Sequence, residues 1–236
     1  MCGRASLTKQ EKELEQRFNA SFYTEDILRY NPLPNFNLAP TQTHPILIME
    51  NGKHFQLMKW GLIPSWAKDE KIGSKMINAR VEGLLEKSFF KTALQSRRCL
   101  VPLDGFYEWK TIQAKTKIPF RIQTTNQEIF SVAGLYDLWK NNKGEVIYSF
   151  TIITLPANEM MKKIHDRMPA ILDPDAELLW IDHSLSMNQS LELLSPYPSE
   201  LMHMTELSPL VNKVSANGPE LLVPAKRTST SNTLFD

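Results

Sequence analysis

Residues 129–154 have the sequence IFSVAGLYDLWKNNKGEVIYSFTIIT, and the rest of the sheet can be worked out from them. Residues 129–138 and 146–154 are rich in β-branched and aromatic side chains, which favour extended strands. Between them, Asn142, Lys143 and Gly144 are residue types that tolerate the backbone angles of a tight turn. The stretch therefore predicts two long strands joined through a short turn.

The segments before this pair follow the same pattern. Asn51-Gly52 is a dipeptide typical of hairpin turns, and it separates two apolar runs, residues 46–49 and 55–60. Most of the predicted strands follow one another without an intervening helix. This favours an antiparallel or mixed sheet, closed as a barrel, with helices packed outside. The further predicted strands are residues 99–102, 106–110 and 119–123.

The sequence indicates one domain of the mixed α/β (α+β) class, with a largely antiparallel, barrel-like sheet, over residues 1–226. A chain of 236 residues is long enough to bury a large core, and no internal repeat divides it. Residues 227–236 are rich in Ser and Thr, a composition typical of a disordered tail.

Helix signals lie mainly outside the strand region. Thr8 with Glu11 has the pattern of a capping box and predicts a helix of about 11 residues. Residues 81–95 predict a second helical stretch with a break near Gly83, and residues 157–164 predict a third helix. Residues 30–43 are rich in Pro and Asn, which predicts a loop.

The composition is that of an ordinary soluble protein, with 42% hydrophobic and 22% charged residues. A formal net charge of +1 gives no global support for nucleic-acid binding, so any DNA contact has to come from a local cluster of basic residues. Cys2 and Cys99 are the only cysteines, which argues against a disulfide framework and a zinc site. We expect no metal, no cofactor and no membrane association, and a cytoplasmic location.

Cys2 is the first candidate for chemistry. Removal of Met1 would leave a thiol and a free α-amine on adjacent carbons, a 1,2-aminothiol. The amine forms an imine with an aldehyde, and the thiol then closes a five-membered thiazolidine. The second step is intramolecular and therefore fast. The alternative interpretation is that Cys2 is an incidental small residue near the start of the chain.

Three further segments combine polar side chains with an apolar frame. Asn78 and Arg80 lie two residues apart, and His165 precedes Arg167 by two. Glu108 lies among three aromatic residues, a setting suited to general acid–base catalysis. Taken singly, each of these could be a structural residue: a turn asparagine, an ion-paired arginine or glutamate, or a surface histidine.

Six motifs in a fixed order make the chain resemble the SOS-response-associated peptidase (SRAP) family. The resemblance extends from Cys2 to about Pro224. Any one motif is weak evidence, whereas the ordered set is specific. The motifs are Met1-Cys2-Gly3-Arg4, Asn37-Leu38-Ala39-Pro40, and residues 60–66, 78–82, 105–109 and 165–169.

The resemblance implies a sensor of abasic sites in single-stranded DNA that crosslinks through Cys2 and shields the lesion. It also implies a barrel-like mixed fold and a role in the response to DNA damage. The implied catalytic residues are Cys2, Asn78, Glu108 and His165. The implied DNA-binding residues are Gly3, Arg4, Pro40, Trp66, Arg80, Thr154 and Arg167.

Single-stranded DNA containing abasic sites is therefore the expected partner of a monomeric protein, with replication-associated proteins as further partners. A cytoplasmic, nucleoid-associated location is expected in a bacterium. An imine that does not close its ring would lead to strand cleavage, a lyase activity.

Two other functions stay open at the level of sequence. An N-terminal cysteine can be the nucleophile of an amide hydrolase, and the chain would then act as a peptidase that removes its own Met1. A noncovalent module for damaged DNA is the third possibility. The arginines favour a DNA ligand over a small amide. A noncovalent module would tolerate Cys2→Ser, whereas the crosslinking function would not.

Overall fold

A computed structural model describes residues 2–113 and 116–225 of the chain, so Met1 and the predicted tail at 227–236 lie outside the described residues. The strands are β1 (Ala5–Leu7), β2 (Ser21–Phe22), β3 (Asn35–Leu38), β4 (Thr43–Met49), β5 (Lys53–Trp60), β6 (Asn78–Arg80), β7 (Arg98–Leu103), β8 (Gly105–Gln113), β9 (Thr116–Thr124), β10 (Phe130–Lys140), β11 (Val146–Pro156), β12 (Arg167–Pro169) and β13 (Met202–Glu206).

Most helices are short. The α-helices are α1 (Glu11–Phe18), α2 (Thr24–Arg29), α3 (Ser88–Ser96), α4 (Pro174–Ile181) and α5 (Met187–Glu192). The 3₁₀ helices are Glu70–Lys75, Val81–Gly83, Met161–Lys163, Ser199–Leu201, Pro209–Asn212 and Pro219–Leu222. In the described part of the chain, no helix is long and apolar enough to cross a membrane.

The hairpin predicted from residues 129–154 is confirmed. Strands β10 and β11 pair antiparallel, from Gly134 opposite Ile152 to Lys140 opposite Val146. Gly144 in the connecting turn has φ of +84°, a left-handed angle that glycine adopts without steric cost. Nearly all of β10 is buried, because both faces of this strand are covered, and this explains its unbroken apolar sequence.

The barrel expected from the sequence is also confirmed. Strands β11, β10, β7, β4 and β5 pair in that order, and a parallel pairing of β5 with β11 closes them into a ring. Strands β2, β6 and β12 extend this sheet, so that it is mixed but largely antiparallel. A second sheet has the order β13-β9-β8-β1-β3.

Two glycines in contact fix the loop that leads into β6. Gly61 has φ of +120°, and a Cβ added to it would lie 2.6 Å from the carbonyl oxygen of Gly73. A Cβ on Gly73 would meet the carbonyl oxygen of Gly61 at the same distance. Only two residues without side chains allow this approach. The contact holds the chain close to the barrel just before β6 begins.

The predicted start of the first helix was wrong by two residues. Helix α1 begins at Glu11 with Gln10 as its N-cap. The Glu13 carboxylate accepts a hydrogen bond of 2.8 Å from the backbone N–H of Gln10. Thr8 instead donates its backbone N–H and its hydroxyl to the buried Asp104 carboxylate. A buried carboxylate requires donors, and this requirement outweighs the local capping pattern.

The helical stretch predicted at 81–95 is confirmed together with its break: it forms the 3₁₀ turn Val81–Gly83 and then α3, because Gly83 weakens a continuous helix. Two other predicted segments need correction. Residues 157–164 contain only the 3₁₀ turn Met161–Lys163. The predicted loop at 30–43 contains strand β3, which pairs with β1.

His44 on β4 is a buried histidine inside the barrel wall. Its Nε2–H donates to the carbonyl oxygen of Pro102 at 2.7 Å, and its ring lies 6.2 Å from that of Phe150. Burial lowers the pKa of His44 to about 4. The ring is therefore neutral in the folded protein at pH 7, although its pKa in the unfolded chain is about 6.5.

We expect His44 to make the protein less stable in mild acid. As the pH falls below about 6.5, the His44 ring becomes protonated in the unfolded chain. In the folded protein, the same ring stays neutral until about pH 4. Above pH 6.5, neutral His44 costs the folded protein no stability relative to the unfolded chain. Between pH 6.5 and pH 4, the free energy of unfolding falls by about 1.36 kcal/mol per pH unit, roughly 3 kcal/mol in total.

Urea denaturation at about pH 7 and about pH 4.5 measures this effect in the wild type and in His44→Gln. The glutamine keeps an N–H donor for Pro102 but does not titrate. The other ionisable groups are shared by the two proteins and cancel in the comparison. The variant should lose less stability between the two pH values than the wild type. An equal loss would show that His44 does not have this role.

Candidate active site

Cys2 lies where the two sheets meet. Its side chain is fully buried, and its carbonyl oxygen accepts a hydrogen bond of 2.8 Å from Nδ2 of Asn78. Asn78 is the first residue of β6 and pairs with Ile152 on β11. The N-terminal segment that leads into the second sheet is therefore attached to the barrel through the Asn78 amide.

Glu108 reaches Cys2 from strand β8. The backbone N–H of Tyr107 donates to the carbonyl oxygen of Arg4 at 2.9 Å, which extends the pairing of β1 with β8 towards the chain start. Glu108 is the next residue along β8 and is 5% exposed. Its carboxylate acts electrostatically on the Cys2 thiol. Cys2, Asn78 and Glu108, predicted together as catalytic residues, lie together in the structure.

The side chains of residues 106–109 pack on two different faces of β8. Phe106 belongs to the main core, whereas Tyr107 and Trp109 pack on the opposite face of β8 with Leu207 and Val211. Alternate residues of a strand point to opposite faces. Glu108 therefore lies on the side of the main core, in an almost water-free environment.

The resting thiol of Cys2 is protonated. Burial raises its pKa well above the usual range, and the charge of the Glu108 carboxylate raises it further. The sulfur donates a long contact of 4.0 Å to the carbonyl oxygen of Arg4. A reaction at sulfur must therefore remove this proton, and Glu108 is the carboxylate placed beside it.

A surface cleft of about 560 Å³ opens beside these residues. We call it the Asn78 cleft. From the residues predicted by sequence, its walls contain Asn78, Arg80 and Arg167. They also contain residues that the sequence analysis did not single out, among them Lys75, Lys87 and Phe89.

Arg167 is held by an ion pair inside this cleft. Its Nη1 and Nη2 atoms donate to the two carboxylate oxygens of Glu82 at 2.6 and 3.0 Å. Nη2 also donates to the carbonyl oxygen of Thr154 at 2.6 Å. The hydrogen bonds that Glu82 accepts from Arg167 lower the pKa of its carboxyl group. Thr154 is fully buried, so its link to the cleft runs through Arg167.

Strand β11 positions both cleft arginines. Thr154 pairs with Arg80 of β6 on one side and with Pro169 of β12 on the other. Pro156, two residues on, pairs with Arg167. The basic residues at the cleft thus come from two short strands that flank one long strand.

His165 lies just before β12. Its Nδ1 atom is 2.7 Å from Oδ1 of Asp166 and 3.0 Å from the backbone nitrogen of Arg167. The carboxylate contact needs a proton on Nδ1, whereas the amide contact needs a lone pair there, so the two contacts belong to different protonation states. The ring is partly exposed.

Arg4 points away from the Asn78 cleft. Its guanidinium donates to Oδ1 of Asn37 at 2.7 Å and to the carbonyl oxygen of Val211 at 2.8 Å. It also lies 5.6 Å from the ring centroid of Trp109. The structure therefore places Arg4 on the far face of β8, apart from Arg80 and Arg167.

The other predicted DNA-binding residues differ in exposure. Trp66 is 62% exposed and touches Phe89 edge-on, with the ring centroids 6.2 Å apart. Arg80 is exposed, whereas Gly3 and Pro40 are partly exposed. All four can therefore reach a ligand at the surface.

Two features of the cleft were missed by the sequence analysis. Glu82 belongs to the quoted motif at 78–82, but its pairing with Arg167, across 85 residues, has no local signal. Phe89 precedes the buried Phe90 on α3, and this Phe-Phe pair could have indicated an aromatic residue left at the surface. Within residues 2–113 and 116–225, no group of three or more His, Cys, Asp or Glu side chains could hold a metal ion.

Comparison with known proteins shows relatives along most of the chain. A family model for SOS response associated peptidases matches residues 1–214. The abasic site processing protein YoqW of Bacillus subtilis is 43% identical over 225 residues, which cover 94% of this chain and 99% of that protein. The abasic site processing protein HMCES of Xenopus tropicalis is 34% identical over 224 residues, covering 80% of this chain and 65% of that protein.

A crystal structure from Bacteroides thetaiotaomicron has the same fold, with a TM-score of 0.87 and 30% identity. The match covers 95% of this chain and all of that one. The fold, the order of the motifs and the similarity along nearly the whole chain agree. This chain belongs to the SOS response associated peptidase (SRAP) family.

Proposed function

We propose that the protein captures abasic sites in single-stranded DNA covalently, as a thiazolidine on Cys2, after Met1 has been removed. The observation that carries the proposal is the joint placement of Cys2, Asn78 and Glu108 next to a cleft lined by arginines. The names of the relatives, abasic site processing proteins, support the same class of substrate.

The reaction begins at the amine. His165 or Glu108 moves the proton that opens the cyclic hemiacetal of the abasic sugar. The α-amine of Cys2 adds to the aldehyde carbon, and water leaves to give an imine. A neutral amine is available near pH 7, because its usual pKa is about 7.7–8.0.

The thiol then closes the ring. The sulfur of Cys2 bonds to the imine carbon while its proton passes to Glu108 and from there to the ring nitrogen. No atom is lost in this second step. Asn78 keeps the Cys2 carbonyl in place throughout. The ring removes the imine that would otherwise lead to strand cleavage by a lyase reaction.

The DNA is held by charges and by stacking. Arg80 and Arg167 contact phosphates at the Asn78 cleft, with Thr154 behind Arg167. Arg4 and Gly3 contact the backbone on the far side of Cys2. Trp66 and Pro40 pack on bases, which single-stranded DNA presents unstacked. The protein acts as a monomer in the cytoplasm, with replication-associated proteins as partners.

The state of the thiol favours this function over a peptidase. A cysteine that attacks an amide does so as a thiolate, and such cysteines have a lowered pKa. Burial moves the pKa of Cys2 in the opposite direction. The arginines of the cleft also have no evident purpose in the cleavage of a small amide.

Replacement of Cys2 tests the covalent step. Cys2→Ala keeps the α-amine but lacks the sulfur, so we expect an imine that survives a denaturing gel only after borohydride reduction. Wild-type protein should give a denaturation-resistant band with abasic single-stranded DNA without borohydride. Mass spectrometry verifies that both proteins lack Met1.

Cys99→Ala is the matched control, because it removes the other buried cysteine and should crosslink like the wild type. A full-strength band from Cys2→Ala without borohydride would contradict the role of the sulfur. No band from wild-type protein lacking Met1 would refute the covalent function and favour an amide hydrolase.

Replacement of Glu108 tests proton transfer. We expect Glu108→Gln to slow crosslinking by about 10²- to 10⁴-fold, the usual effect of a general acid–base group. Single-turnover time courses on denaturing gels measure the rate. Noncovalent affinity for DNA carrying a tetrahydrofuran analogue, which has no aldehyde, should stay unchanged. An unchanged crosslinking rate would exclude Glu108 from the chemistry.

A further inference from the structure

Phe89 lines the Asn78 cleft and packs only partly against the core. The buried residues of α3 are Phe90, Ala93 and Leu94, which share one helical face. Phe89 lies at the edge of this face, where one side of its ring packs against the core and the residue stays partly exposed. Core packing therefore accounts for only part of this ring, and the rest of it lies at the cleft.

The ring of Phe89 belongs to a row of three aromatic side chains. Its centroid lies 4.2 Å from that of Phe90 at an interplanar angle of 45°. On its other side, Trp66 approaches edge-on at 6.2 Å. The row runs from the exposed indole to the buried Phe90. Phe89 and Phe90 both line the cleft, and Phe89 is the partly exposed one of the two. The ring is thus fixed in place by its two neighbours.

The other side chains of the cleft favour an anion. Lys75, Lys87, Arg80 and Arg167 stand against the carboxylates Glu82 and Glu86, an excess of two positive charges. The whole chain has a formal net charge of only +1. A volume of about 560 Å³ lies in the usual range for sites that hold a small organic ligand.

Asn78 connects the cleft to Cys2. Its Nδ2 atom bonds to the carbonyl oxygen of Cys2, and the residue also lines the cleft. Its Oδ1 atom is buried and accepts no hydrogen bond from the described residues. The cleft therefore begins at the residue that holds the reactive end of the chain.

We propose that the Asn78 cleft binds the intact nucleotide next to the abasic site, with its base stacked on Phe89 and its phosphate held by Arg80 and Lys87. Every base has a π-face, so the stacking tolerates any sequence. The inference rests on the proposed function and adds a binding residue to it. It assigns to Phe89 the recognition of a base, which a neighbour of the lesion still carries.

Fluorescence anisotropy with single-stranded DNA carrying one tetrahydrofuran residue tests this, because no aldehyde is present and only noncovalent binding is measured. Phe89→Ala should weaken binding by about 5- to 150-fold, the range for loss of one base–aromatic stack. Phe89→Tyr keeps an aromatic face and should restore the affinity. Tyr30→Ala removes an exposed aromatic side chain outside the cleft and should change nothing.

The salt dependence separates stacking from charge. Phe89→Ala should leave the slope of log K against log salt unchanged. Lys87→Ala should make it shallower by about 0.7, the value for one phosphate contact on a single strand. A slope change in Phe89→Ala, or none in Lys87→Ala, would overturn the assigned contacts.

A second oligonucleotide series shows whether a base is the contact. A second tetrahydrofuran residue is placed 5′ or 3′ of the first. On one of the two sides, this loss of the base should abolish the difference between the wild type and Phe89→Ala. A difference that persists in both oligonucleotides, or no difference in any, would refute the proposal.

The test also separates the two levels of inference. Wild-type protein and Phe89→Ala are incubated in parallel with DNA containing a true abasic site. A Phe89-dependent affinity without any crosslink would leave the nucleotide site standing and refute the covalent function. If the wild type forms a crosslink but Phe89→Ala binds DNA as tightly as the wild type, the covalent function stands and the nucleotide site is refuted.

Discussion

The hydrogen bond from Asn78 to the carbonyl oxygen of Cys2 attaches the start of the second sheet to the barrel. Cys2 leads into the sheet that contains β8 and Glu108, whereas Asn78 opens the strand that lies along the barrel. An amide–carbonyl bond contributes only about 1 kcal/mol to stability. Its importance is positional, since a chain terminus without such a contact would fray.

In the proposed thiazolidine reaction, burial sets the order of events at Cys2. Water is excluded from the sulfur, and the neighbouring carboxylate adds its own negative charge, so the thiol keeps its proton. An amine reacts with an aldehyde in its neutral form, and its usual pKa lies near physiological pH. The environment therefore favours the amine as first nucleophile and leaves the sulfur to act once an electrophilic imine is beside it.

The sequence predicted what depends on short-range patterns. The hairpin of β10 and β11, the turn at Asn51-Gly52 and the alternation of Phe106 and Tyr107 all follow from spacing and turn residues. Ring closure of the barrel depends on the parallel pairing of β5 with β11, between residues about 90 positions apart. No local pattern records such a contact, so closure was expected from the run of strands and not from any single pair.

The site was predicted unevenly for the same reason. Ordered motifs identified Cys2, Asn78 and Glu108, which lie together in the structure. They did not indicate that Glu82 forms an ion pair with Arg167, or that Arg4 packs against Trp109, because these partners come from distant segments. Thr8 fits the capping pattern but serves Asp104, a choice that only the tertiary structure reveals.

Strand β11 sets the distance between the backbones of Arg80 and Arg167. Arg80 and Arg167 are carried by strands on its two sides, and neighbouring strands lie about 4.8 Å apart. The backbones of the two arginines are thus separated by two such spacings across the sheet, on the order of 10 Å, and they are also offset by two residues along β11. The ladder hydrogen bonds keep this backbone interval constant, so only the arginine side chains can adjust to the charge spacing of a ligand that contacts both.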